Sequence, residues 1–111
     1  MEKIKLVSFA KIELKKAFLE LKEGKFEEKN LYNFINRAIG DLKENPFSGV
    51  KIPKKLWPKK YIKEYKITNL WKYNLPNAWR LVYTLIGDEV KIVSMILEWG
   101  NHKDYERRFS Y

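Results

Sequence analysis

The chain contains no cysteine and only one histidine, His102. The lack of cysteine excludes disulfides, thiolate nucleophiles and cysteine-ligated zinc, and a single histidine offers little to a metal site. No stretch reaches the roughly 18 apolar residues of a membrane span. Residues 1–8 alternate charged and apolar side chains and lack the continuous apolar run of a signal peptide. These absences predict a cytoplasmic protein without metal, other cofactor or membrane contact.

Positive charge, by contrast, is abundant. Lys and Arg total 23 against 14 Asp and Glu, which gives a net charge of +9. Such a charge attracts polyanions, so nucleic acid is the first partner class to consider. Lysine enrichment alone is also typical of a biased composition or a thermophilic source. With 45% hydrophobic and 15% aromatic residues, the 111-residue chain is predicted to form one globular domain, residues 1–111, that buries about two-thirds of its unfolded surface.

The first half of the chain predicts a strand at residues 4–8 followed by two helices. Apolar residues recur at helical spacing in two segments, first at Leu14, Ala17, Phe18 and Leu21 and then at Leu31, Phe34, Ile35, Ala38, Ile39 and Leu42. Ser8 is expected to cap the first helix and Gly24 to end it, whereas the second ends at Asn45-Pro46. Their short connection predicts an antiparallel helical hairpin.

Residues 47–66, which we call the lysine segment, hold the densest positive charge. The segment contains Lys51, Lys54, Lys55, Lys59, Lys60, Lys63 and Lys66 against the single acid Glu64. Pro53 and Pro58 prevent a long regular element, although Pro58 can open a short helix through Lys63.

Three strand-like runs follow, at residues 70–75, 78–86 and 89–97. Their close turns predict an antiparallel meander, and the last run, which is apolar at both parities, predicts a central strand. Alternation sorts the side chains into two faces. Trp71, Tyr73, Leu75, Trp79, Leu81, Tyr83 and Leu85 are predicted to face the helices, with Lys72, Asn74, Arg80 and Thr84 on an opposite face that holds a ligand.

Two local motifs accompany this order of elements. Residues 69–83 read Asn-Leu-Trp-Lys-Tyr-Asn-Leu-Pro-Asn-Ala-Trp-Arg-Leu-Val-Tyr, and His102-Lys103-Asp104-Tyr105 follows the last strand. Over nearly its whole length the chain resembles the RelE/ParE-like toxins of type II toxin-antitoxin systems. The resemblance implies a RelE-like α+β fold, with an N-terminal strand, a helical hairpin packed on a mainly antiparallel four-stranded sheet, and a short C-terminal helix.

The same resemblance implies an endoribonuclease that needs no metal. Most such toxins are mRNA interferases that cut messenger RNA on the ribosome, and an antitoxin protein silences them. Arg80 takes the place of the strand arginine that holds the scissile phosphate, and His102 and Tyr105 match the C-terminal catalytic pair. Lys72 is expected to help Arg80 to stabilise phosphate charge. Asn74 stands where many relatives carry arginine.

Further residues are predicted to bind phosphates of RNA or of the ribosome. They are Lys54, Lys55, Lys59, Lys60, Lys63, Asn74, Arg107 and Arg108, with Trp57 or Tyr61 available for base stacking. A solvated lysine run is the simpler interpretation. Another alternative is a non-catalytic binder, either a gyrase inhibitor of the ParE type or an inactive toxin-derived module. His102 with Tyr105 favours the enzyme, because a pure protein binder needs no titrating pair.

Overall fold

Along the chain, a strand is followed by two helices, then by a short strand and a third helix, and finally by three strands. The computed structural model describes residues 2–101 and residue 103. Its strands are β1 (Ile4–Phe9), β2 (Val50–Lys51), β3 (Trp71–Asn74), β4 (Arg80–Gly87) and β5 (Lys91–Gly100), and its helices are α1 (Ile12–Leu21), α2 (Phe26–Glu44) and α3 (Lys59–Tyr65). The predicted order of elements is confirmed over this range. The predicted C-terminal helix lies outside the described residues.

The strands form one sheet in the order β1-β5-β4-β3-β2. β1 pairs with β5 in parallel and every other pair is antiparallel, so the α+β class and the central position of β5 are confirmed. The sheet has five strands rather than the predicted four. β2 was missed because only Val50 and Lys51 pair with β3, and two residues are too few to show alternation.

α1 and α2 form the predicted hairpin and cover one face of the sheet. Their apolar stripes, including the fully buried Ile35, Ala38 and Leu42, pack in one cluster with all seven strand side chains predicted to face them. The predicted cap at Ser8 is wrong. Ser8 lies in β1, and α1 begins only at Ile12, after Lys11. Strand pairing with β5 holds the backbone of Ser8 in an extended conformation.

The opposite face of the sheet is partly covered, which the sequence did not predict. The lysine segment folds back over it as a turn at Lys54–Leu56 followed by α3. A second apolar cluster lies beneath, formed by Ile52, Tyr61, Ile67, Leu70, Val82 and Leu97. We call this the segment face, and the other the hairpin face. The segment face is therefore partly covered by a packed layer and is not an open sheet surface.

Tyr83 ties the loop after α2 to the centre of the sheet. Its side chain is fully buried on the hairpin face. The hydroxyl donates to the Pro46 carbonyl at 2.9 Å and accepts from the Gly49 N–H at 3.1 Å. Burial raises the pKa of Tyr83 to about 12, so the folded protein keeps this phenol protonated.

We expect Tyr83→Phe to destabilise the protein by about 1–3 kcal/mol at neutral pH, because the buried Pro46 carbonyl and the partly buried Gly49 N–H lose their partner. The unfolded phenol ionises near pH 10 and the folded one near 12, so wild type should lose stability as the pH rises between these values. Tyr83→Phe removes that part of the loss. Guanidinium unfolding at pH 7.5, 10 and 11.5 measures both effects, with Tyr32→Phe on α2 as the control. An equal alkaline loss in wild type and Tyr83→Phe would contradict the assignment.

Candidate nucleic-acid interface

Strand pairing brings three of the predicted site residues together at one end of the segment face. Asn74 on β3 pairs with Arg80 on β4, and Arg80 pairs with Gly100 on β5. Lys72 pairs with Val82 in the next row. Directly paired residues project from the same face, and Val82 packs under the lysine segment. We call Lys72, Asn74 and Arg80 the strand-end site.

The strand-end site combines partial burial with positive charge. Arg80 and Lys72 are half-buried, whereas Asn74 is exposed. Arg80 Nη1 donates to the carbonyl of Trp79 at 3.2 Å, which fixes the direction of the guanidinium. Charges beside a protein surface of low dielectric attract an anion more strongly than they do in bulk water. The site is thus suited to hold a phosphate oxygen.

The turn before Arg80 sets where β4 begins. Asn77 and Ala78 both have left-handed backbone conformations, with φ of 60° and 63°. The N–H of Leu75 donates to the carbonyl of Trp79 at 2.9 Å across the turn. Asparagine tolerates this conformation, whereas alanine does so at a cost of about 1 kcal/mol or more. The close turn predicted between the runs at residues 70–75 and 78–86 is confirmed, and it places Arg80 directly opposite Asn74.

The lysines predicted to bind RNA separate into two groups. Lys54, Lys55, Lys59 and Lys63 are exposed on the outside of the lysine segment. Lys60 instead lies 3.3 Å from Glu98 Oε1 and 5.3 Å from the centre of the Tyr61 ring. Lys60 is exposed as well, but unlike the other four it is paired with a carboxylate on β5.

Two predicted roles on this face are wrong. Tyr61 is only 1% exposed, so it is unavailable to stack on a base. Trp57 is half-buried and donates its indole N–H to the Ile52 carbonyl at 2.9 Å, and its role in base stacking stays a prediction. Thr84 is buried and donates to the Asn69 carbonyl at 2.7 Å rather than facing a ligand. The error for Tyr61 follows from α3, which packs on this face, and the error for Thr84 from Asn69, which precedes β3 and supplies the carbonyl acceptor.

Glu98 is a residue of this face that the sequence did not single out. It pairs with Val82, in the same row as Lys72, and its carboxylate accepts hydrogen bonds from Lys60 and from the Tyr61 hydroxyl. Simple alternation would have placed it beside Ile96 on the hairpin face. The available signal was the single charged residue in the run of residues 92–99, which is apolar apart from Ser94 and Glu98.

A cleft of about 370 Å³ opens beside the strand-end site, between the end of α2 and β3. Asp41, Ser48, Gly49, Lys72 and Asn74 contribute to its lining. The Tyr73 hydroxyl donates to Asp41, and burial together with this bond raises the pKa of Tyr73 to about 12. The cleft is large enough for a small polar group such as a nucleobase.

Four predicted site residues, His102, Tyr105, Arg107 and Arg108, lie outside the described residues. Gly100, two positions before His102 in the sequence, pairs with Arg80. Within residues 2–101 and 103, no three His, Asp or Glu side chains cluster closely enough to hold a metal ion. Over the same range no helix is long and apolar enough to cross a membrane.

Comparisons with protein families, with curated proteins and with solved structures found no match for this chain. Function is therefore inferred from the motifs of the chain and from the geometry of its own residues.

Proposed function

We propose that this protein is a metal-independent endoribonuclease toxin of the RelE/ParE-like type, which cleaves messenger RNA on the ribosome. The observation that supports this most is the common position of Lys72, Asn74 and Arg80. They lie on the sheet face away from the helical hairpin, beside the end of the strand that leads into His102.

Cleavage of RNA without a metal requires three tasks. The 2′-OH must lose a proton as it attacks the adjacent phosphorus, the phosphoryl oxygens must be stabilised as negative charge develops, and the departing 5′-oxygen must be protonated. Arg80 can donate two parallel hydrogen bonds to phosphate oxygens, and Lys72 adds a point charge. The half-burial of both strengthens these contacts.

His102 and Tyr105 are assigned the proton transfer and the positioning of the nucleotide. Histidine is the side chain whose ordinary pKa, about 6.5, permits proton exchange near neutral pH. Two residues of chain reach at most about 7 Å. The pairing of Gly100 with Arg80 therefore supports a site that His102 and the strand-end site share.

The exposed lysines of the lysine segment and the pair Arg107 and Arg108 are assigned to docking of RNA and ribosome. Lys54, Lys55, Lys59 and Lys63 present like charges within ten residues of chain, a spacing that suits a phosphate backbone. Because the protein has a net charge of +9, charge complementarity favours an acidic antitoxin as its inhibitor.

We expect His102→Ala and Tyr105→Ala each to lower cleavage about 10²- to 10⁴-fold, the range associated with loss of a positioned acid or base. Cleavage of a messenger on programmed ribosomes, mapped by primer extension, is the measurement. Circular dichroism and thermal unfolding of each variant show whether it still folds like wild type.

If wild type and both variants cleave RNA at equal rates, His102 and Tyr105 have no catalytic role. If wild type does not cleave RNA, the enzymatic function is wrong. In the latter case inhibition of DNA gyrase supercoiling by wild type, unaffected by His102→Ala, would establish the non-catalytic alternative.

A further inference from the structure

The pairing of β4 with β5 is irregular next to Val82, the residue of β4 that pairs with Lys72 on β3. Val82 pairs with Glu98 and Tyr83 pairs with Ile96, so Leu97 is an extra residue in β5. This is the pattern of a β-bulge, which changes the face to which the following side chains point. Ile96 and Trp99 pack on the hairpin face, and Leu97 packs under the lysine segment. The bulge therefore allows Glu98 to share the segment face with Leu97.

Two donors from α3 hold the carboxylate of Glu98. Lys60 Nζ donates to Oε1 at 3.3 Å, and the buried Tyr61 hydroxyl donates to Oε2. The side chain of Glu98 remains 23% exposed, and it borders a cleft of about 330 Å³ between α1 and α3. The carboxylate is therefore oriented by α3 and partly open to solvent.

The position of Glu98 relates it to the strand-end site. Lys72, Val82 and Glu98 form one row across β3, β4 and β5, so two strand spacings of about 4.8 Å separate Lys72 from Glu98. Arg80 lies diagonally across from Glu98 on the adjacent strand. A phosphate held by Arg80 and Lys72 would have the carboxylate on its β5 side.

A purely structural role explains this arrangement less well. If Glu98 served only to attach α3 to the sheet, the apolar cluster under α3 would already do so, because Tyr61, Val82 and Leu97 are almost fully buried there. The ion pair with Lys60 has a lysine side chain that is 51% exposed, and such pairs contribute little stability. Bulges that redirect a side chain are frequent beside active sites.

We propose that Glu98 is the proton acceptor for the 2′-OH in RNA cleavage, an inference that rests on the proposed function. The proton of the 2′-OH passes to Glu98 as the 2′-oxygen bonds to phosphorus and the bond from phosphorus to the 5′-oxygen breaks. The 5′-oxygen takes a proton from a separate acid, for which His102 remains the candidate. The products are a 2′,3′-cyclic phosphate and a 5′-hydroxyl. Tyr61 and Lys60 are positioning residues that orient the carboxylate.

Glu98→Gln tests this role with little change in shape, because the amide oxygen still accepts from Tyr61. We expect single-turnover cleavage on programmed ribosomes to fall about 10²- to 10⁴-fold, whereas Glu98→Asp should retain part of the activity. In Glu98→Ala, added formate should restore part of the rate, since a small carboxylate can enter the vacated space and accept the proton. A structural role alone would give no formate-dependent recovery.

Glu64→Gln is the matched control. Glu64 borders the same cleft and pairs with Lys11 at 3.3 Å, but it projects from α3 and has no place in the row of Lys72. Its cleavage rate should equal that of wild type.

The possible outcomes separate the two proposals. Wild-type rates in Glu98→Gln would overturn the role of Glu98 and leave the ribonuclease in place. A low rate in Glu98→Gln without recovery by formate in Glu98→Ala would assign Glu98 to structure and also overturn the inference. Absence of cleavage by wild type would remove the ribonuclease and this inference together.

Discussion

Replacing Arg80 with alanine should lower RNA cleavage about 100- to 1000-fold, the effect of removing one preorganised donor to developing negative charge. Arg80 is half-buried and lies opposite Asn74 and Gly100 at the strand-end site. The loss should appear in kcat rather than KM, because the phosphoryl oxygens gain charge mainly in the transition state. Single-turnover cleavage of a ribosome-bound messenger gives the rate.

Two further variants make this test specific. Arg80→Lys keeps the charge but loses the paired hydrogen bonds, so it should recover only part of the rate. Arg37→Ala removes an exposed arginine from α2, which covers the hairpin face, and should leave cleavage unchanged. A similar loss in Arg37→Ala and Arg80→Ala would indicate a general effect of charge and would remove Arg80 from the site.

Neutralising the exposed lysines of the lysine segment should change how RNA binding depends on salt. Each phosphate contact on a single strand contributes about −0.7 to the slope of log K against log salt. With six contacts the wild-type slope is about −4, and a fourfold rise in salt weakens binding more than 100-fold. Replacing Lys54, Lys55, Lys59 and Lys63 with glutamine should make this slope less negative by about 3 if each lysine contacts a phosphate.

The measurement uses fluorescence anisotropy with a 2′-O-methyl RNA, which lacks the attacking hydroxyl and stays intact. The control carries the same charge change on the helical hairpin, by replacement of Lys15, Lys16, Lys29 and Lys43, all exposed in α1 and α2. Its slope should remain close to that of wild type. Equal reductions in both variants would mean that RNA senses only the net charge, and the lysine segment would then have no docking role.

Local periodicity predicted the layer structure of this protein well. The helical stripes of α1 and α2 and the alternation in β3 and β4 identified the buried faces, because both periods are fixed by backbone geometry and are visible within a few residues. The same alternation placed Lys72, Asn74 and Arg80 on one face, and strand pairing confirms it. His102 and Tyr105 stay predictions, since they rest on a motif alone.

Tertiary structure decided what lies on that face. No periodicity in the lysine segment indicates that Tyr61 packs against the sheet, because its contacts with Val82 and Leu97 join parts of the chain more than 20 residues apart. β2 exists only through its pairing with β3. Thr84 was expected to face a ligand, but its hydroxyl donates to the Asn69 carbonyl, a contact that strand parity does not report.

The sequence by itself determined which side chains share a face of each regular element, because that choice depends only on the repeat of the backbone. The structure alone decided that a bulge at Leu97 turns Glu98 toward Tyr61 and Lys60, within the row of Lys72. A bulge is a shift in register between two strands, so it depends on β4 and β5 together and leaves no periodic signal in either.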